Sequence, residues 1–232
     1  MEHHQSDTTV SLLLAQQLTD AMAAIHARGW CDGTGGNFSC VVRQNPLVLL
    51  MAPSGVDKGK VLPADLIEVD GAGEVIHGEG RASAETLLHI AIVHTTGAGA
   101  VLHTHSQAAT LLSRHYTANP RPKNDPLSPT RGGWLELSDL EMLKGLEGIT
   151  SHEVQIKLPV LANDQDLARL SQAATPLLAK APQGLLIAGH GLYAWGQDLP
   201  QAQRHLEILE FLLEQHWRQL LLEAMVAATR TP

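Results

Sequence analysis

The chain has 232 residues, 44% of them hydrophobic, and a formal net charge of -8 at pH 7. This length and hydrophobic share favour one globular domain over residues 1–232, and a negative charge without a Lys/Arg cluster argues against a nucleic-acid-binding surface. No apolar run is long enough to span a membrane, and the sequence does not open on a basic and then apolar leader. Cys31 and Cys40 are the only cysteines. We therefore expect a cytoplasmic protein with free thiols.

The first third of the chain predicts one helix followed by sheet. The helix carries apolar residues at a spacing of three to four behind the possible caps Asp7 and Thr8, and residues 1–8 are expected to be disordered. Polar turns separate the short apolar runs that follow, which is typical of hairpins. The predicted elements are a helix over 9–28 and strands over 38–42, 46–51, 64–69 and 74–77.

The middle third predicts helices around one buried strand. Ser83 is the expected cap of the first helix, the strand ends at His103 and His105, and Ser138 with Glu141 forms a capping-box pattern for the last helix. The stretch 117–133 is rich in proline and predicts a loop over a site. The predicted elements are helices over 83–94, 107–115 and 137–146, with a strand over 97–105.

The last third predicts a strand, a helix, a hairpin-like pair of strands around His190 and a long final helix. The predicted ranges are 154–160, 165–179, 185–188 with 192–195, and 199–225. Hairpin signals are frequent and a regular strand-helix-strand alternation is absent. We therefore expect a single α/β domain with a mixed or mainly antiparallel sheet flanked by helices.

His103-Thr104-His105 follows the small apolar run 97–102. Residues i and i+2 of a strand project from the same face, so two imidazoles at its end can share one metal ion. A His-x-His pair also arises by chance in a chain with 13 histidines. The pair alone therefore supports both readings.

His190 supplies a third ligand of matching context. It follows a second apolar run, 184–188, and lies between Gly189 and Gly191, which allow special backbone conformations beside a ligand. Catalytic zinc usually takes three protein ligands and leaves one position open. His103, His105 and His190 therefore predict a zinc site, although imidazoles also accept Fe, Mn, Co and Ni.

Three polar turns are candidates for binding an anion. Gly33-Thr34-Gly35-Gly36-Asn37 precedes a strand and lacks the Gly-Lys-Ser/Thr ending of a nucleotide loop, so it suits a small phosphate monoester or is a structural turn. Residues 53–59 offer Ser54 and the ammonium of Lys58. Ser83 lies at the expected N-terminus of a helix, where free N–H groups attract anions.

Two glutamates are candidate acid/base groups, and each has a structural alternative. Glu85 is an ordinary first-turn glutamate if it only complements the helix dipole. Glu141 needs no catalytic role if it completes the capping box with Ser138. The residues alone do not choose between these readings.

Taken in order, the three polar turns, the His103 pair and the glycine-bracketed His190 resemble the class II aldolase/adducin family over about residues 10–225. The resemblance implies a three-layer α/β domain with a mainly antiparallel central sheet, in an enzyme that is usually a homotetramer with sites near subunit interfaces. It assigns one zinc per subunit to the three histidines. It also implies a phosphate subsite at Thr34, Gly36, Asn37, Ser54 and Ser83.

Within that family, several segments are most similar to a branch that dehydrates a methylthio ketose 1-phosphate. By similarity, Glu141 matches the acid/base of that branch and Glu85 matches the acid/base of the aldolases. The resemblance thus implies a small sugar-phosphate substrate, with Glu141 as the main acid/base and Glu85 as a second group or a substrate contact. The rival expectations are a sugar-phosphate aldolase or 4-epimerase with the same metal site, and a non-catalytic scaffold like the adducin head.

Overall fold

The computed structural model describes residues 2–118 and 132–229. The side chains of residues 2–11 and of Ala118 are outside the description. Most of the stretch 117–133, which we predicted as a loop over the site, falls outside the described residues. The two ends of that stretch belong instead to a helix and a strand.

Within the described residues the chain forms nine strands and five α-helices. The strands are β1 Asn37–Gln44, β2 Leu47–Met51, β3 Ile67–Asp70, β4 Val75–His77, β5 Ala100–Thr104, β6 Gly132–Ser138, β7 Gln155–Leu161, β8 Gly184–Ile187 and β9 Gly191–Gly196. The helices are α1 Glu2–Ala27, α2 Thr86–Thr96, α3 Gln107–Ala118, α4 Leu167–Leu178 and α5 Leu199–Thr229. Short 3-10 helices cover Pro63–Asp65 and Glu141–Gly145.

All nine strands join one sheet in the order β4-β3-β2-β1-β5-β9-β8-β7-β6. Each neighbouring pair is antiparallel except β7 and β8. The expectation of a mainly antiparallel sheet is confirmed. β5 lies at the centre, so its backbone is paired on both sides.

The sheet is the middle of three layers. On β5, Ala100 and Leu102 pack into the core formed with α1, α3 and α5, whereas Val101 packs into the second core with α2 and α4. This alternation follows from the two-residue period of a strand. Among the described helices, none is both long and apolar enough to cross a membrane.

Two predicted helix starts are wrong. α1 begins at Glu2, so Asp7 and Thr8 lie inside it and residues 2–8, expected to be disordered, are helical. Extending an existing helix adds one hydrogen bond for each residue that is fixed, whereas starting one is costly. α2 begins at Thr86, because the Ser83 hydroxyl accepts a hydrogen bond from the Glu85 backbone N–H in a turn before the helix.

The predicted helix over 137–146 is also wrong. Leu137 and Ser138 pair with Ile156 and Gln155 in the β6–β7 ladder, so Ser138 is a strand residue and caps nothing. The residue before the short 3-10 helix Glu141–Gly145 is Leu140, which has no side-chain cap. The long ladder with β7 therefore overrides a local capping pattern.

Candidate metal centre

Four side chains converge where β5 ends, next to the start of α2. Glu85, His103, His105 and His190 each offer a ligand atom, and these atoms all lie within 4.8 Å of one another. The Nε2 atoms of His103 and His105 are 2.8 Å apart, and Nε2 of His190 lies 2.8 Å from Oε1 of Glu85. Three imidazoles and one carboxylate form a donor set that suits a divalent transition metal.

A backbone carbonyl fixes the His103 imidazole. Its Nδ1 lies 2.9 Å from the Leu192 carbonyl oxygen on β9, so Nδ1–H donates and Nε2 keeps a free lone pair facing the cluster. The ring also stacks on Tyr193, with 3.9 Å between the ring centroids. Burial lowers the pKa of His103 well below its usual value, more than the Glu85 charge raises it. His103 is therefore neutral, as a metal ligand must be.

The turn between β8 and β9 carries His190. Gly189 has a φ of +64°, and a Cβ at Gly191 would lie 1.9 Å from the Thr104 carbonyl oxygen on β5. Only glycine permits this close approach of two backbones. The glycines beside His190 thus bring the third imidazole up to the other two, as the sequence indicated.

Glu85 immediately precedes α2 and points its carboxylate at the histidines. Burial raises the pKa of Glu85, but a hydrogen bond from His190 and the electrostatic interactions with the imidazoles of His103, His190 and His105 outweigh it and lower the pKa to about 2. Its other oxygen accepts a hydrogen bond from the Asn37 amide. An ionised carboxylate therefore lies beside the three imidazoles.

The three candidate anion turns meet beside this cluster. The Asn37 amide contacts Glu85, which joins the turn 33–37 to the start of α2. The Ser54 backbone N–H donates to the Arg81 carbonyl at 2.9 Å, which joins the turn 53–59 to the segment that carries Ser83. The Lys58 ammonium donates to the Thr34 carbonyl at 3.3 Å and joins the first two turns. Three segments that are far apart in sequence thus surround one side of the histidine cluster.

Glu141 is not in this cluster. Its carboxylate is 69% exposed and pairs with Lys144 and, at 4.0 Å, with His152. The Lys144 hydrogen bond lowers the pKa of Glu141. Within one chain, the structure therefore brings Glu85, and not Glu141, to the histidines.

Sequence reasoning missed the groups behind the cluster. His89 is fully buried on α2, with Nδ1 2.8 Å from the Ser39 hydroxyl, and the buried Tyr193 hydroxyl and His89 Nε2 have no hydrogen-bond partner among the described residues. In the sequence, the signal for Tyr193 is its position two residues after Gly191, because residues i and i+2 of a strand face the same side. Nothing local pointed to the cross-strand pairing of Tyr193 with His103.

Comparison with known proteins gives a consistent picture. The family model described as Class II Aldolase and Adducin N-terminal domain matches residues 16–217. A methylthioribulose-1-phosphate dehydratase from Pseudomonas fluorescens is 39% identical over 204 residues, which are 87% of this chain and 90% of the relative. A protein of the same name from Pectobacterium atrosepticum is 40% identical over 215 residues, 90% of this chain and 97% of the relative.

Solved structures share the fold. L-fuculose-1-phosphate aldolase from Thermus thermophilus superposes with a TM-score of 0.69 at 25% identity, covering 92% of this chain and 98% of that one. YgbL from Escherichia coli has a TM-score of 0.70 at 24% identity and covers 89% of each chain. The expected architecture, an aldolase-like sheet between helices, is confirmed.

Proposed function

Because this chain belongs to the class II aldolase and adducin family, we propose that it dehydrates 5-methylthioribulose 1-phosphate to 2,3-diketo-5-methylthiopentyl 1-phosphate, as a carbon-oxygen lyase of methionine salvage. The observation that carries the proposal is the identity of about 40%, over most of both lengths, to relatives named for this reaction. The chemistry of the histidine cluster supports it independently.

The metal that we propose is zinc, one ion per subunit, with His103, His105 and His190 as ligands. The donor set fits, since three imidazoles with one neighbouring carboxylate are typical of catalytic zinc. The Leu192 carbonyl, which accepts a hydrogen bond from Nδ1–H of His103, is the usual kind of second partner for a ligating histidine. When bound, such an ion supplies Lewis-acid polarisation of the ketose oxygens.

The reaction removes water across C3 and C4 of the substrate. A carboxylate takes the C3 proton, which is acidified by the neighbouring C2 carbonyl, and an acid gives a proton to the departing C4 hydroxyl. The product is an enol, whose hydroxyl proton then moves to C4 to give the 2,3-diketone. The chain therefore needs a base beside the histidines, an acid near C4 and a site for the 1-phosphate.

For the acid/base work we propose Glu141 as the main group and Glu85 as the second group or a substrate contact. Glu85 is supported by its 2.8 Å approach to His190. Glu141 is exposed and distant from the cluster of its own chain, so the proposal has it enter the site of another copy. A homotetramer with sites near its subunit interfaces, which the family resemblance implies, would supply that copy.

The phosphate subsite that we propose consists of Thr34, Gly36, Asn37, Ser54 and Ser83. Its support is the set of contacts that joins their three segments beside the cluster. A cytoplasmic location also belongs to the proposal. The two buried free thiols, Cys31 and Cys40, are in keeping with a reducing compartment.

A second candidate function is a sugar-phosphate aldolase or 4-epimerase, which breaks the C3–C4 bond of its substrate. The position of Glu85 against His190 favours it, because that residue matches the aldolase acid/base. A scaffold without catalysis is disfavoured, because a partly buried set of three imidazoles and a carboxylate serves no packing purpose.

The test is mass spectrometry of the products formed from 5-methylthioribulose 1-phosphate by protein of known metal content. The proposal expects a product lighter by one water that forms only with the metal-loaded protein. An intact substrate would refute the dehydratase proposal. Cleavage of L-fuculose 1-phosphate or a related ketose phosphate into two fragments would support the aldolase instead.

A further inference from the structure

Lys58 is a buried cation with no ion-pair partner among the described residues. The residue is 1% exposed, and its ammonium donates to the carbonyl oxygens of Thr34, at 3.3 Å, and Val56, at 3.1 Å. An ammonium has three N–H donors. Among the described residues, neither a third acceptor nor a carboxylate in an ion pair is found for it.

Such a charge is costly unless something compensates it. Transfer of an ammonium out of water is strongly unfavourable when no counter-charge accompanies it. Burial lowers the pKa of Lys58, while interactions with the Cys31 thiol and with the carboxylates of Glu85 and Asp57, none of which forms an ion pair with it, oppose that change. Two neutral carbonyls satisfy hydrogen bonds but do not cancel a charge.

The position of the ammonium indicates which anion compensates its charge. Lys58 joins the turn 33–37 to the turn 53–59, the two turns that carry Thr34, Gly36, Asn37 and Ser54 of the proposed phosphate subsite. A neutral N–H donor would be enough to join the two turns through their carbonyls, so these hydrogen bonds do not explain why the side chain is charged. In a chain with a net charge of -8, a dianionic phosphate needs a local cation of this kind.

We propose that Lys58 is the positioning residue of the phosphate subsite: its ammonium holds the turns 33–37 and 53–59 together, and its charge stabilises a phosphate monoester bound between them. The inference rests on the proposed function, because the monoester is the 1-phosphate of the proposed substrate. It adds a residue and a physical role that the family resemblance does not assign.

The experiment measures binding of inorganic phosphate to the zinc-loaded full chain by isothermal titration calorimetry. Lys58→Met removes the charge with little change in length, and Lys58→Arg retains it. Lys60→Met is the matched control, because Lys60 carries the same charge two residues further along the chain but has a side chain that is 83% exposed. Zinc content and thermal midpoint are recorded for every variant.

We expect the dissociation constant of phosphate to rise at least about tenfold in K58M, which is the scale of a lost charge-assisted contact. K60M should stay within about threefold of the parent, since an exposed charge is screened by solvent. K58R should recover part of the loss. If K58M does not fold, Lys58→Gln takes its place, because it keeps an N–H donor and removes only the charge.

Failure of the inference and failure of the proposed function give different results. A chain that dehydrates the ketose phosphate, but whose K58M or K58Q variant binds phosphate as the parent does with an unchanged KM, overturns the role of Lys58 alone. A chain that leaves the ketose phosphate intact, but loses phosphate affinity in K58M, overturns only the proposed function. Where both proposals hold, K58M raises KM more than it lowers kcat.

Discussion

Thr104 donates a 2.5 Å hydrogen bond to the carboxylate of Glu210 on α5, on the face of the sheet opposite to the histidines. Thr104 lies between His103 and His105, so the bond fixes the backbone that carries two of the proposed ligands. Glu210 is 2% exposed, and the Ser106 hydroxyl also bonds to it. One buried carboxylate on α5 therefore fixes the end of β5 from the face of the sheet opposite to the histidines.

Replacing Thr104 with Val should remove that hydrogen bond and leave a buried carboxylate with one partner fewer. We expect the free energy of unfolding to fall by about 1–3 kcal/mol and zinc affinity to weaken, because the ligands lose their support. Urea unfolding and competition with a chelator measure the two quantities. Thr104→Ser keeps the hydroxyl and is the control; an equal loss in the serine variant would show that the bond is not responsible.

The buried position of Glu210 predicts a pH dependence. The pKa of Glu210 is raised to about 7. Burial is the largest cause, hydrogen bonds from Ser106 and Thr104 oppose it, and the Glu214 charge adds to it. Between the usual value near 4.5 and 7, the unfolded chain releases this proton while the folded chain keeps it. The contribution of Glu210 to stability therefore falls as pH rises through this window.

Glu210→Gln has no such proton to lose. The free energy of unfolding of the parent relative to this variant should decrease between pH 5 and pH 8, as measured by urea denaturation at both values. A difference that is constant with pH would contradict the raised pKa.

Gly33 and Gly36 lie in one turn, and substitutions at the two positions distinguish the cost of a strained backbone from the cost of a steric clash. Gly33 and Gly36 have φ values of +66° and +75°, but a Cβ at Gly33 meets nothing within 4 Å, whereas one at Gly36 lies 2.7 Å from the His103 carbonyl oxygen. Gly33→Ala should therefore cost about 1 kcal/mol of stability. Gly36→Ala should cost more and reduce metal binding. Equal effects in unfolding and zinc-binding measurements would show that the approach to His103 is unimportant.

Removal of a proposed ligand should remove the metal. We expect zinc content, measured by mass spectrometry of the purified protein, to fall from one ion per chain to a small fraction in His103→Ala, His105→Ala or His190→Ala, and activity to fall with it. His94→Ala on the exposed side of α2 is the control and should retain its zinc. Full zinc content in any of the three ligand variants would remove that residue from the site.

The separation of Glu85 and Glu141 predicts complementation between subunits. Each single variant, Glu85→Gln and Glu141→Gln, should keep its zinc and lose activity by about 10²–10⁴. Unfolding and refolding the two together should restore about a quarter of the parent activity, because random assembly gives that share of sites both carboxylates. Mixtures that stay as inactive as the single variants would exclude a Glu141 that acts in another copy.

Patterns confined to a few residues predicted much of the fold. The hairpin turns, the strand before His103 and the glycines around His190 were correctly placed, because each depends on neighbours in sequence. The helix expected at Ser138 failed because pairing with β7 decided that segment. The side-chain direction of Glu85 and the burial of Lys58 also escaped prediction, since both depend on segments that only the sheet brings together.

The order of strands in the sheet also bears on how the protein matures. His103 and the carbonyl of Leu192 that orients it are separated by 89 residues, and they meet only when β5 pairs with β9. Closing so long a loop is a slow, non-local step in folding. During synthesis the ribosome therefore releases two of the histidines long before the third, and the complete centre cannot capture an ion until nearly the whole chain has emerged.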